Sequence, residues 1–259
     1  MLSFLKSYAA QAAAAVRTSF SDRGNFALQV LGMVINDIFF LSLWVLFFAG
    51  FRSVGGWTQS DVALLLGITM MVVALSGVAF GGFRDMAATI LRGELDALLT
   101  QPKGVLSRLL SRESIAHAWG DGICSLVILL FFARVGWAEA PLVIVAIAAG
   151  AVVFVSAAVS FACLAFWAAG ARSFARDLTD FMLLFSSYPS PIFQGWTKVI
   201  AYTVLPAGFV VMAPVEWLRA PSWSAFALVI GGAVLHAGIA ASLFRIGLER
   251  YRRVSVAGS

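Results

Sequence analysis

Residues 185–218, Phe-Ser-Ser-Tyr-Pro-Ser-Pro-Ile-Phe-Gln-Gly-Trp-Thr-Lys-Val-Ile-Ala-Tyr-Thr-Val-Leu-Pro-Ala-Gly-Phe-Val-Val-Met-Ala-Pro-Val-Glu-Trp-Leu, decide how this chain is read. The stretch is apolar enough to enter a bilayer, yet Pro189, Pro191, Pro206 and Pro214 interrupt it. Proline removes a backbone donor and clashes with the preceding turn, and hydrocarbon offers no water to the freed carbonyl. Such a segment is expected only where protein or a water-filled cavity covers it, beside a transport pathway.

The rest of the chain supplies the membrane context. Of its 259 residues, 61% are hydrophobic and 12% charged, and the mean hydropathy is +0.93. Soluble domains are about a quarter charged, so the chain reads as an integral membrane protein with no space for a substantial soluble domain. Its net charge of +5 does not point to nucleic acid, because the basic residues lie between apolar runs. Cys124 and Cys163 fall inside such runs and read as small packing residues rather than metal ligands or a disulfide. The N-terminus lacks the short apolar run and cleavage site of a secretory signal.

Crossing a bilayer takes about 20 apolar residues. The candidates are 27–51, 62–83, 115–133, 141–169 and 223–247, with a shorter one, 174–188, running into Pro189. Before them, Leu5, Tyr8, Ala9, Ala12, Val16 and Phe20 recur at helical spacing, with Lys6, Gln11 and Arg17 off the stripe. Residues 1–26 therefore read as an amphipathic interfacial helix, and 27–259 as one transmembrane domain.

With the N-terminus cytoplasmic, fourteen of the eighteen Lys and Arg residues fall on inner segments, as the positive-inside bias requires. Only Arg52, Arg134, Lys198 and Arg219 fall outside. An odd number of crossings would put the Arg-rich tail 245–253 on the wrong side. Residues 189–221 are therefore expected to dip into the outer leaflet and return, with both termini cytoplasmic; a plain outer loop of amphipathic helices is the alternative. Trp57, Trp137, Trp196, Trp217 and Trp223 read as interfacial anchors, joined by Tyr188 and Tyr202.

The longest inner loop, 84–114, places Met86, Ile90, Leu91, Leu95, Leu98 and Leu99 at three- and four-residue spacing among Arg84, Asp85, Arg92, Glu94 and Asp96, with Pro102 as the stop. That pattern fits a short helix docking into a groove on a soluble partner, or a solvated interfacial helix.

Here a resemblance enters. Ile90-Leu91-Arg92-Gly93-Glu94-Leu95-Asp96-Ala97-Leu98-Leu99-Thr100-Gln101-Pro102 resembles the I-x-x-G-x-L-D-x-x-L-x-x-P stretch of ABC-2-type transporter permeases. The later Tyr188-Pro189, Ile192-Phe193, Leu205-Pro206-Ala207 and Ala213-Pro214 resemble the second signature of a subfamily of uncharacterised permeases of about this length. The resemblance implies an all-α fold of six transmembrane helices. It adds an N-terminal interfacial helix, a coupling helix at about 84–102, and outer re-entrant helices at about 189–221. It also implies a separate ATPase, present in two copies and carrying ATP and Mg, coupled through Arg92, Gly93, Glu94, Leu95, Asp96, Leu98, Leu99 and Pro102. A second permease, identical or paralogous, would complete the assembly in the lipid of a bacterial cytoplasmic membrane. The substrate would be amphipathic or hydrophobic. Tyr188, Pro189, Pro191, Phe193, Trp196, Pro206 and Pro214 would lie at the translocation segment.

The chain itself carries no catalytic or metal-binding constellation. Its lysines, Lys6, Lys103 and Lys198, follow no glycine, so it holds no G-x-x-x-x-G-K-[ST] phosphate cradle. H-E-x-x-H and G-x-S-x-G are also absent. Asn36 and Asp37 are the deep polar pair. A mid-helix acid costs about 2.5–3.5 kcal/mol to insert, so Asp37 should face protein or water, as a bundle hydrogen bond or a substrate or proton contact. His117 and Asp121 share a helical face and read as a structural pair. Asp177 and Asp180 suit the N-terminal dipole of the fifth helix, and His236 reads as a hydrogen-bonded histidine. Gly77 and Gly81 fit close packing within the chain. The competing class is an ion-coupled secondary transporter, which usually shows repeats and several mid-membrane carboxylates; no repeat is visible, and Asp37 stands as the one deep acid.

Overall fold

Side-chain caps set where the first long helices begin. Asp22 accepts from the Asn25 amide at the start of α2 (Arg23–Gly50). Thr58 and Asp61 exchange hydrogen bonds with each other's backbone at the start of α3 (Gln59–Phe80), so two orphan amides of the first turn are satisfied. The computed structural model describes residues 2–99 and 104–257, and side chains over 8–99 and 104–253. Pro102, expected to stop the loop helix, lies outside the described residues, as do the side chains of Leu5 and Lys6.

In chain order, α1 (Leu2–Ser19), α2 and α3 lead into four short elements. These are a 3-10 turn at Gly81–Phe83, α4 (Met86–Leu91), α5 (Asp96–Leu99) and α6 (Val105–Ser111). Then come α7 (Ala118–Val127), continued by a π-helical stretch Ile128–Phe132, α8 (Ala140–Cys163) and α9 (Ala171–Ser186). The proline-rich segment forms a 3-10 turn at Ser190–Ile192, α10 (Trp196–Thr203), a π-helical stretch Gly208–Met212 and α11 (Ala213–Arg219). The last helix is α12 (Trp223–Ala257). Among the described residues there is no β-strand, only one isolated bridge between Val54 and Trp57.

Among the described residues, four helices are long and apolar enough to cross a membrane, and a fifth if α10 with Gly208–Arg219 is one span bent by 78°. The expected third and fifth spans coincide with shorter helices, Ala118–Phe132 and α9. Among the boundaries that move, α2 begins at Arg23 rather than 27, and α9 begins at Ala171 rather than 174. The second shift removes the dipole account of Asp177 and Asp180, which now lie beyond the first turn.

Helix α8 is the structural axis, packing against α3, α9, α12 and the Gly208–Met212 stretch. Its small residues permit this: a Cβ at Gly150 would strike the Val210 carbonyl oxygen, so only glycine fits. Gly77 likewise passes the Ala118 side chain of α7, and Gly81 the Glu113 backbone, as close packing within the chain required.

Connections gather at two ends. At the Arg-rich end the Tyr8 hydroxyl donates to the Ala79 carbonyl (2.8 Å), Arg250 to Phe166 (3.2 Å) and Tyr251 to Gly93 (2.9 Å). At the opposite end Ser60 donates to the Ala133 carbonyl (3.2 Å) and Arg219 to Asp61 (2.9 Å).

Candidate functional site

The loop at the Arg-rich end is not the single helix its periodicity suggested. Gly93 adopts φ +74°, a left-handed conformation that favours glycine, and it breaks the run into α4 and α5. The apolar face turns into the chain's own bundle: Met86 and Leu95 are fully buried, Ile90 nearly so, and Leu98 and Leu99 half-buried. What remains outside is a charged rim of Arg92, Glu94 and Asp96, with Leu91 beside it. Arg92 donates twice to Glu94, and Arg112 lies 3.8 Å from the same carboxylate. The hydrogen bond from Arg92, with the charges of Arg92 and Arg112 behind it, holds the Glu94 carboxyl below the usual carboxylate range. The Arg108 guanidinium donates to the Leu98 carbonyl, and Tyr251 of α12 holds Gly93. The rim therefore sits on a platform fixed to α6 and α12.

At the opposite end, the proline-rich segment starts and finishes beside the same loop. A Cβ on Gly55 would strike Pro191, and Arg219 donates to the Gly56 carbonyl (2.9 Å) while its guanidinium lies 4.7 Å from the Trp57 ring centre. Ser190 donates to Glu216. Between those points the chain reaches inward, because Val210 meets Gly150, ten residues into α8, and Phe209 meets Gly232, nine into α12. Leu205 to Val215 are buried apart from half-buried Phe209, so protein covers both Pro206 and Pro214, as bilayer chemistry demanded. The Pro206 carbonyl accepts from Phe209 and Val210 (3.0 and 3.1 Å).

The remaining residues of this segment are spread along it. Pro189 is buried and Tyr188 lies edge-on to Trp44 of α2. Phe193 stacks on Phe185, and Trp196 is exposed at the start of α10. Trp137, Trp196 and Trp223 are exposed as interfacial anchors should be, but Trp57 and Trp217 are buried. Trp57 serves Arg219 instead.

Two cavities lie between the ends. One of about 330 Å³, lined by Arg84, Asp85, Glu113, Arg172, Arg176 and Asp180 among others, sits at the Arg-rich end. A second of about 190 Å³ is lined by Asn36, Asp37, Thr69, Arg84, His117, Asp121 and apolar neighbours. Arg84, His117, Val73 and Leu183 border both. Asp37 and Asp121 are each 3% exposed. His236 is elsewhere, its Nδ1 2.8 Å from the Gly232 carbonyl and its ring against Phe209, a structural role as expected.

A family model described as ABC-2 family transporter protein matches residues 31–255. The chain belongs to that family. No curated protein and no solved structure matches it. An ABC-2 chain of this kind is the membrane permease component of an ABC transporter, and it is an integral membrane protein. The matched span takes in α4, α5 and the whole proline-rich segment.

Sequence reasoning missed two features of this permease. Asp121 joins Asp37 in one cavity, so Asp37 is not the one deep acid; helix periodicity cannot report which helices touch. Arg219 looked like an ordinary outer charge, although Asp61, as a capping residue with a spare oxygen, marked the position where such a cation could bind.

Proposed function

We propose that this chain is the permease subunit of an ATP-driven exporter, working with a second permease copy or paralogue. Two ATPase subunits carrying ATP and Mg would dock beneath α4 and α5. The observation that carries this reading is the charged rim Arg92–Glu94–Asp96, exposed on a platform whose apolar side is buried in the bundle. A rim fixed to α6 and α12 transmits a push, whereas a loosely held amphipathic helix would absorb it. Without a phosphate cradle of its own, the permease draws its energy from the partner.

The topology in this proposal has six crossings, with α7 and its π-helical stretch as the third and α9 as the fifth. Residues 189–221 form a re-entrant hairpin. The anchoring of both hairpin ends on the α2–α3 loop supports this, as does the even alternation of loops between the two ends. The Arg-rich end then faces the cytoplasm of a bacterial cell with both termini, following the positive-inside bias.

In a reconstituted complex, reversing Glu94 and Asp96 to Lys is expected to leave insertion intact. It should also uncouple ATP hydrolysis from transport. Full coupled transport in that variant overturns the assignment. Single cysteines replacing exposed Trp196, Val199 or Val204 should react with an impermeant maleimide from outside only. Reaction from the cytoplasm breaks the hairpin reading. The paired carboxylates are the one observation favouring ion-coupled transport instead. Gradient-driven activity of the purified chain alone in liposomes would establish that alternative.

A further inference from the structure

The cavity between α2, α3, α7 and α9 is lined by two buried carboxyl groups, Asp37 and Asp121. Asp37 and Asp121 are within electrostatic reach of each other, and one carboxylate oxygen of each, Oδ2, is buried without a hydrogen-bond partner. Asn36 and Cys124 serve Asp37. Arg84, which lines the same cavity, divides its field between Asp180 and Asp121 and is opposed by Arg176. A buried carboxylate with a free oxygen is costly unless something positive reaches it, and both free oxygens belong to residues lining one space. Among the described residues, no group of three His, Cys, Asp or Glu side chains could hold a metal ion.

We propose that this cavity binds the positively charged head of an amphiphilic solute, an alkylammonium group, with Asp37 and Asp121 as its counter-ions. The proposal rests on the transport reading above and names the class of its cargo. At about 190 Å³ the space is below the roughly 300–1,000 Å³ of pockets that enclose drug-sized ligands. It fits a head group and leaves the tail outside. Met33, Phe40, Leu66 and Met70 on its walls suit the methyl or methylene groups of an ammonium, and an aromatic ring attracts a quaternary nitrogen. The larger cavity, which shares Arg84 and His117, provides the approach from the Arg-rich end. Asp85, Glu113 and Asp180 on that approach offset the repulsion that Arg172 and Arg176 exert on a cation.

The test is equilibrium binding of radiolabelled dodecyltrimethylammonium to the purified chain in lipid nanodiscs, with empty discs subtracted. Dodecyl sulfate and dodecyl maltoside serve as competitors. A saturable component that unlabelled ammonium displaces and the two other surfactants do not is expected. Asp37→Asn and Asp121→Asn should each weaken it by about tenfold or more, the change that about 1.4 kcal/mol of lost attraction produces. Asp177→Asn, on the exposed side of α9, should not. Gel filtration and circular dichroism report folding. If the Asn variants fail them, infrared difference spectra of the wild-type chain decide, since ammonium binding must convert carboxylic acid to carboxylate or perturb a carboxylate band. Absence of a saturable component, or its survival in both Asn variants, overturns the proposal. A carboxylic-acid signal that titrates but ignores the ammonium also overturns it, and makes the pair a proton site. Binding needs no ATPase, so loss of coupled transport and loss of binding are separate outcomes.

Discussion

Helices α2 and α8 are both apolar enough to span a membrane and opposite in situation. Over its most apolar window α8, with its 3-10 end, has 67% of its residues buried, and α2 has 6%. The buried residues of α8 are mostly Ala and Val, whereas the one buried residue of α2 is Asp37. Leu28, Leu31, Phe39, Leu43 and Leu46 of α2 stand exposed. Hydropathy therefore marks both as spans but is blind to what surrounds each. The helix with complete contacts inside the chain forms the scaffold. The helix with an incomplete set leaves most of its apolar side chains uncovered by this chain and borders the polar cavity.

The sharpest way to break this contrast is one substitution made in both helices. Gly150→Leu places a side chain into the Val210 backbone and should cost about 3 kcal/mol or more, seen as lost folded yield and a lowered unfolding temperature in detergent. Gly32→Leu in α2 meets nothing within 4 Å and should stay within about 0.5 kcal/mol of wild type. Equal losses would remove the distinction. Next in size is labelling. With Cys124 and Cys163 replaced by Ala, a cysteine at Leu31, Phe39 or Leu46 should react with a lipid-soluble maleimide at least about tenfold faster than one at fully buried Val153, since buried sulfur is inert. Protection of α2 on adding the second permease would sharpen the reading by naming what covers it. The smallest effect concerns the end of the scaffold region. Arg219→Ala removes an ion pair, a backbone hydrogen bond and a ring contact. It should lower stability by on the order of 2 kcal/mol and raise the reactivity of a cysteine at Trp57.

Much of this architecture was legible beforehand because a bilayer restricts backbone chemistry so tightly. Each expected span corresponds to a helix, and the burial around Pro206 and Pro214 follows from the need to cover freed carbonyls. The loop at 84–102 was half legible. Its three- and four-residue spacing identified the buried face, but Gly93 was read as part of a helix rather than its break, and the face covers the permease itself rather than a groove on a partner. The meeting of Asp37 with Asp121 was illegible, since it depends on Gly120 letting α7 approach Met33 and the Val30 carbonyl of α2. Trp57 was misplaced because membrane statistics describe exposed indoles and carry no information about a cation 4.7 Å from the ring centre.

The length of α12 has a mechanical consequence. Its Gly232 bears on Phe209 of the proline-rich segment, and its Tyr251 holds the Gly93 turn. Nineteen residues of helix, roughly 28 Å, separate these points without an interruption. A stiff rod of that span cannot tilt at one point alone. About 5° of inclination about its grip at the Arg-rich end sweeps the far contact through roughly 2.5 Å, enough to lift a phenyl ring out of the notch a glycine leaves.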